Sequence, residues 1–290
     1  MEQQAEVLSS IWTHWHGHIE VLVGLGLLEI GYLLGVGPLR ERYNLAEYID
    51  PRRIAIFTSG VLVIFLALLS PLHELSDVYL FSAHMTQHVL LTLVAPPLLI
   101  LGTPGWLMRR VLWPKLAFNA VRYITKPVPA LAIFNLMFAL WHVPALYDLS
   151  MTYHVIHILE HLLFISTTLV MWWPLTSTML ELPRISYPLQ MLYLFVLSIA
   201  QIIVFVFVTF SSQPLYEWYV DAPKILGIST LQDQQIGGII MKVGSGILFL
   251  LLIVLAFFRW YGQEEKKTKV EKEERGRSAV VDKDGLQTVQ

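Results

Sequence analysis

Long apolar runs alternate with short polar segments along most of this chain. Each run has about the 20 residues that an α-helix needs to cross the hydrocarbon core of a bilayer. The runs are continuously apolar, which is typical of spanning helices, whereas strands of a membrane barrel alternate. They lie at about residues 17–37, 54–71, 78–101, 128–147, 154–173, 187–210 and 236–260. The sequence therefore predicts an all-α membrane protein folded as a seven-transmembrane helix bundle.

The segments outside the bundle differ in character. Residues 1–16 form an N-terminal segment without the basic stretch that opens a signal peptide, so we expect the first helix to be retained. Residues 105–126 combine tryptophans with basic residues and predict an interfacial amphipathic stretch. Residues 261–290 are charged and poor in aromatics, which predicts a disordered tail. The bundle itself would occupy residues 17–260.

Positive charge is concentrated in two loops, which follow the first and the third predicted helices. The basic residues are Arg40, Arg42, Arg52 and Arg53 in the first loop and Arg109, Arg110, Lys115, Arg122 and Lys126 in the second. Lys and Arg accumulate in cytoplasmic loops of membrane proteins. The N-terminus is therefore predicted to lie outside and the C-terminus in the cytoplasm.

The composition excludes several functional classes. With 55% hydrophobic residues and a mean hydropathy of +0.58, the chain is expected to reside in the lipid bilayer. It has no cysteine, which rules out disulfides, thiolate metal sites and thiol redox chemistry. We find no nucleic-acid footprint, no nucleotide-binding loop, no catalytic triad and no His-Glu-x-x-His motif. The sequence therefore predicts neither an enzyme nor a partner of nucleic acids.

All ten histidines fall on the predicted outer side of the membrane. They are His14, His16, His18, His73, His84, His88, His142, His154, His157 and His161. An ordinary membrane protein has no reason to keep imidazole away from its cytoplasmic face. The asymmetry indicates an outward-facing site for a metal or haem, or a proton relay.

Two histidine pairs repeat at the spacing of one helical turn. His84 and His88 are four residues apart in the third predicted helix, as are His157 and His161 in the fifth. Residues at this spacing lie on one helix face. His142 closes the fourth helix on the same side, so three helices can direct imidazole toward one pocket.

Other residues on this side are expected to support these ligands. Glu160 can accept an imidazole N–H and fix the ring orientation, and Met85 follows His84 directly. Asp233 precedes the seventh helix, where capping of that helix is its alternative role. Met241 follows within about two turns. The candidate metal site therefore comprises His84, His88, His142, His157 and His161, with support from Met85, Glu160, Asp233 and Met241.

The ligand types favour copper, since a site of neutral imidazoles and thioether sulfur suits this metal better than magnesium or calcium. Haem is the alternative, because facing histidines on two helices also make bis-imidazole ligation. That reading would make the protein a membrane cytochrome. A third reading is an ion or proton transporter in which the histidines act with Glu29 and Lys242. These two charges are expected to pair with each other or with Glu160.

His14, His16 and His18 form an alternating run before the first helix. The simpler interpretation is a solvated interfacial segment anchored by Trp12 and Trp15. The alternative is a low-affinity role in gathering metal.

Several short motifs together resemble the multi-pass caa3-type cytochrome c oxidase assembly factors of the CtaG type. The motifs are Leu69-Ser70-Pro71, His84-Met85-Thr86-Gln87-His88, Ala95-Pro96-Pro97, Gly102-Thr103-Pro104, Trp141-His142-Val143-Pro144 with Tyr147-Asp148, His157-Ile158-Leu159-Glu160-His161, and Asp233-Gln234-Gln235 with Gly238 and Met241. The resemblance covers nearly all of the chain except the first dozen residues and the tail.

The resemblance implies a factor of the bacterial cell membrane that is needed to build active caa3-type haem–copper oxidase. It implies help in bringing copper to the catalytic subunit, whose copper centre lies toward the outer side of the membrane. The expected partners are that subunit and the lipid bilayer, and a copper donor protein is a further candidate.

Overall fold

In the computed structural model, Trp15 and residues 18–287 are described, with side chains as far as residue 272, and this part of the chain contains helices and no strand. The α-helices are α1 (Ile19–Val36), α2 (Pro38–Arg42), α3 (Pro51–Leu69), α4 (Pro71–Glu74), α5 (Phe81–Val89), α6 (Ala95–Gly102), α7 (Gly105–Val111), α8 (Lys115–Ile124), α9 (Pro127–Trp141), α10 (Pro144–Thr152), α11 (His154–Thr176), α12 (Tyr187–Ala200), α13 (Ile202–Thr209) and α14 (Thr230–Gln287). Two π-helical turns, Leu75–Tyr79 and Leu90–Val94, and one 3-10 turn, Glu217–Tyr219, complete the helical segments.

Within the described residues, six helical segments are long and apolar enough to cross a membrane. They are Ile19–Arg42, Pro51–Leu69, Phe81–Gly102, His154–Thr176, Tyr187–Thr209 and Thr230–Lys272. A seventh crossing exists only if α8 and α9, which meet at 80°, are counted as one bent span. The all-α membrane fold is thus confirmed, whereas the number seven and the orientation of the termini stay predictions.

Proline determines where several helices begin. It occupies the first turn of α2, α3, α4, α9 and α10, where its missing N–H removes no helical hydrogen bond. Asp50 caps α3 by accepting a hydrogen bond from the Arg52 backbone N–H. The predicted fourth helix, residues 128–147, is wrong at its end. Pro144 disfavours helical backbone at the residue before it, so α9 ends at Trp141 and α10 begins anew.

The apolar core joins α3 to α6 on one side of the bundle and α5, α12 and α13 to α14 on the other. Phe57, Ile64 and Leu99 are buried in the first of these contacts. Gly102 allows α6 to lie directly against α3, because a Cβ at this position would come within 2.5 Å of the Phe57 backbone nitrogen. The close packing fixes the depth of the span that contains His84 and His88.

The predicted interfacial stretch forms two short helices, α7 and α8. The Arg110 guanidinium lies 5.1 Å from the centre of the Trp113 ring between them. The axis of α8 is turned by 80° from that of α9, the helix that would be the seventh crossing. This orientation is what a helix lying in the membrane interface would have.

The charged tail has helical backbone as far as Gln287, as a continuation of α14. Lys267 pairs with Glu264 and Lys269 with Glu265, at the spacings that support an isolated helix. The disorder of residues 261–290 stays a prediction.

The two charges within the spans have separate partners. Glu29 accepts a hydrogen bond from the Thr58 hydroxyl at 2.6 Å. Lys242 donates to the Ser198 carbonyl at 2.8 Å. We expected these charges to pair with each other or with Glu160, but in the described part of the chain they do not. Each is stabilised by a polar group on the neighbouring helix instead.

Candidate metal centre

Four histidines from α5 and α11 meet in the interior of the bundle, and we call them the histidine cluster: His84, His88, His157 and His161. Within each helix the two ring centres are 4.4 and 4.5 Å apart. Between the helices, His84 lies 5.7 Å from His157 and His88 lies 5.5 Å from His161. The one-turn spacing thus places both pairs on facing helix surfaces, as predicted, and all four side chains are buried.

The ring nitrogens of the cluster are buried without hydrogen-bond partners among the described residues. This holds for both nitrogens of His84 and His88 and for Nε2 of His157 and His161. Buried polar groups in folded proteins almost always have a partner, and each one without it costs about 1–3 kcal/mol. A concentration of such nitrogens at one point indicates a site built for a bound group.

A carboxylate completes one possible ligand set. Oε1 of the buried Glu160 lies 3.7 Å from Nε2 of His88. One ligand atom each from His84, His88 and Glu160 lie within 4.8 Å of one another, and the same is true of Asp77, His84 and His157. His84 belongs to both sets, so two adjacent three-ligand arrangements share one imidazole.

His142 lies outside the cluster and contacts Met241. Its Nε2 is 3.3 Å from the Met241 sulfur, and its Nδ1 is 2.6 Å from the Phe138 carbonyl, to which it can donate. When Nδ1 of the neutral ring donates its proton to this carbonyl, Nε2 keeps a lone pair, which faces the thioether sulfur. The structure therefore places the predicted His142 and Met241 together as a nitrogen–sulfur pair, separate from the four imidazoles.

Two small cavities border the histidine cluster, each of about 30 Å³. The first, which we call the vestibule, is lined by His18, Glu20, Val21, Leu68, His73, Asp77, His154, His157, Ile158 and His161. The second, the inner cavity, is lined by His88, Val89, Thr92, Leu93, Phe134, Phe138, His142, Phe164, Gln201, Met241 and Ser245. The cluster lies between them, since α11 contributes its histidines to the vestibule and His88 faces the inner cavity.

Met85 and Asp233 do not reach the cluster. Met85 points toward α14, where it would touch a Cβ built at Gly237. The Asp233 carboxylate accepts hydrogen bonds from the backbone N–H groups of Phe81 and Ser82 at 2.7 and 3.2 Å, and from the Ser82 hydroxyl. Asp233 therefore caps α5, the helix that bears His84 and His88, and not its own helix as the alternative prediction had it.

Sequence reasoning left His73 and Asp77 out of the site. His73 Nδ1 lies 3.1 Å from Nε2 of the buried Gln87 and 3.5 Å from an Asp77 carboxylate oxygen. The other Asp77 oxygen lies 3.8 Å from Nδ1 of His157. The four-residue spacing of His73 and Asp77 was a usable signal, although the contact with His157 arises only from the fold.

An aromatic cluster covers the site from the loop side. The Tyr147 ring meets the His84 ring edge-on at 5.3 Å, and its hydroxyl lies 3.1 Å from that of Tyr219. Tyr219 donates in turn to the Ser76 carbonyl at 2.6 Å. Burial raises the pKa of the Tyr147 and Tyr219 phenols well above their usual value, because water cannot stabilise the phenolate. Both remain neutral hydrogen-bonding groups that shield the imidazoles from solvent.

The family comparison agrees with the motifs. The sequence profile of the family described as cytochrome c oxidase caa3 assembly factor (Caa3_CtaG) matches residues 30–263. This range includes the histidine cluster, His142 and Met241, but it begins after His18 and Glu20.

Two curated mycobacterial proteins are similar to the chain over most of its length. They are "Uncharacterized protein Mb0105" of Mycobacterium bovis and "Uncharacterized protein MT0111" of Mycobacterium tuberculosis, each 25% identical over 289 residues. The matches cover 91% of this chain and 42% of each relative, so the chain spans less than half the length of these proteins. No solved structure matches the chain.

Proposed function

Because the chain belongs to the family of cytochrome c oxidase caa3 assembly factors, we propose that its histidine cluster takes up copper as cargo for the catalytic subunit of the oxidase. The protein is a multi-pass protein of the bacterial cell membrane. The observation that carries the proposal is the group of buried imidazole nitrogens without partners in the described chain. The protein would act as an assembly factor and not as an enzyme, and a copper donor protein would load it.

The donor types favour copper over other metals. Neutral imidazole binds copper, zinc and iron, and thioether sulfur selects Cu(I) among these. The cluster supplies four imidazoles, and the His142–Met241 pair supplies nitrogen and sulfur across the inner cavity. His88 faces both groups, so it is suited to pass an ion between them.

The packing argues against haem. Pockets for ligands of such size usually measure about 300–1,000 Å³, whereas each cavity beside the cluster has about 30 Å³. The transporter reading also loses support, since Glu29 and Lys242 are hydrogen-bonded to Thr58 and Ser198 and do not line either cavity.

We further propose that the chain crosses the membrane seven times, with α9 as the fourth crossing. The end of the bundle that bears the histidines would face outward. Reporter fusions test the topology. A reporter fused after Gln290 should behave as cytoplasmic, because nine Lys and Arg residues lie in two segments, from α2 to the first turn of α3 and from α7 to the start of α9, and these should stay inside. One fused in the loop after α13, which the same arrangement places outside, is the matched control. Export of the C-terminal reporter would reverse the orientation.

Copper binding by purified protein tests the cluster directly. In competition with a Cu(I) chelator under reducing conditions, His88→Ala and His161→Ala should each weaken binding about tenfold or more. Loss of groups that only orient metal ligands already costs about 10–100-fold. The matched control is Thr167→Ala, a polar substitution deeper in α11 at a side chain that hydrogen-bonds only its own helix. Equal copper affinity in wild type and both histidine variants would remove the cluster as the binding site.

A further inference from the structure

A second set of metal-ligand side chains lies at the mouth of the vestibule. It consists of His18 just before α1, Glu20 in the first turn of α1, and His154 at the start of α11. Nδ1 of His18 and Nε2 of His154 each lie 3.2 Å from the same carboxylate oxygen of Glu20. The three ligand atoms are all within 4.8 Å of one another. The side chains of His18, Glu20 and His154 are 26%, 45% and 60% exposed, so the protein does not enclose them.

The spacing of these atoms fits a coordinated ion. Imidazole nitrogens and carboxylate oxygens bind zinc at about 2.0–2.2 Å, and two such donors at a tetrahedral angle lie about 3.3 Å apart. The two nitrogen–oxygen separations of 3.2 Å are close to this value. Because the side chains are partly exposed, the third separation can shorten by rotation of the His154 ring without disturbing the core.

His18 is held in place by a buried group behind it. Its Nε2 lies 3.0 Å from Nε2 of His73, so one ring donates to the other. His73 is fixed by Gln87, which also donates to the Ala67 carbonyl at 2.9 Å. The contact with His73 limits rotation of the His18 ring and directs its Nδ1 toward Glu20.

We propose that His18, Glu20 and His154 form a separate outer site for a divalent transition-metal ion, with Cu²⁺ the most strongly bound by the usual affinity order. That this ion is cargo on its way to the histidine cluster rests on the proposed function. The route is short, since the vestibule is lined by the outer ligands at one end and by His157 and His161 at the other. His18 and Glu20 precede the matched family region, whereas His154 lies within it.

Counting bound copper separates the two sites. Purified full-length protein is dialysed against Cu²⁺ and analysed for metal, as wild type, as the double variant Glu20→Gln with His154→Ala, and as His88→Ala with His161→Ala. We expect the outer-site double variant to bind one ion fewer than wild type and to lose the Cu²⁺ electron paramagnetic resonance signal of that site. The variant without His88 and His161 should retain that signal. Glu217→Gln, an exposed carboxylate in the loop before α14, is the control for loss of surface charge.

The outcomes are distinguishable. His14 and His16, outside the described residues, are present in every variant, so a difference cannot come from them. If the outer-site variant binds as many Cu²⁺ ions as wild type with equal affinity, the outer site does not exist. If that variant loses an ion while the His88 and His161 variant loses none, the outer site stands and the proposed function of the cluster fails.

Discussion

We expect replacement of His88 or His161 by Ala to abolish maturation of the caa3-type oxidase while this protein still accumulates in the membrane. Each substitution removes one imidazole of the histidine cluster and leaves the apolar surfaces of α5 and α11 unchanged. Both ring nitrogens of His88 and Nε2 of His161 have no hydrogen-bond partner in the described chain, so removal of these atoms breaks no internal hydrogen bond there. The defect should therefore appear in the oxidase and not in the folding of the assembly factor.

Oxidase activity in membranes is the measurement, with immunodetection of this protein and of the oxidase subunits beside it. His16→Ala should have a much smaller effect, because His14 and His18 lie next to it in the sequence. Added copper should partly restore activity if delivery is impaired. Normal oxidase activity in both cluster variants would leave a scaffolding role as the better account of the protein.

Replacing Asp233 by Ala has the opposite consequence, since it destabilises the assembly factor itself. The carboxylate accepts from two backbone N–H groups and one hydroxyl at the start of α5. Loss of a helix cap costs about 0.5–2 kcal/mol, and leaving a buried donor unsatisfied costs about 1–3 kcal/mol. We expect a loss of about 2–4 kcal/mol, measured as lower thermal stability of the purified protein.

Asp221→Ala is the matched control for this prediction. Asp221 lies in the same loop region before α14 and is exposed, so its replacement should leave the unfolding temperature unchanged. If Asp233→Ala is as stable as wild type but binds copper more weakly, Asp233 contributes to the metal site and its capping role is minor.

The sequence was sufficient for features that depend on local periodicity. Hydropathy located most of the helices to within a few residues, although α14, predicted at 236–260, begins at Thr230 and continues to Gln287. The one-turn spacing of His84 with His88 and of His157 with His161 put each pair on one face. Pro144 is a sufficient signal that α9 ends before it, at Trp141. Because apolar residues continue beyond Pro144, hydropathy alone predicted one continuous helix. These features depend on neighbours within a few positions, which a single sequence displays.

Features that depend on distant pairings could not be predicted. Asp233 caps a helix that begins 152 residues earlier, and Glu20 meets His154 across 134 positions. Neither partner is implied by spacing, charge or helical phase. The partners of Glu29 and Lys242 could not be predicted for the same reason. Each charge is hydrogen-bonded to a neutral hydroxyl or carbonyl group on an adjacent helix, and no sequence pattern identifies such a group.

The π-helical turn Leu90–Val94 has a consequence for the permitted length of its span. A π turn accommodates one residue more than an α turn, and one residue corresponds to about 100° of rotation. Below this turn, α6 is fixed against α3 at Gly102. Removing any single residue between 90 and 94 would therefore rotate His84 and His88 by about a quarter turn or more away from α11. Substitutions in that turn keep the number of residues and so leave this rotation unchanged. Deletion of one codon there would separate the two histidine pairs, although every histidine would still be present.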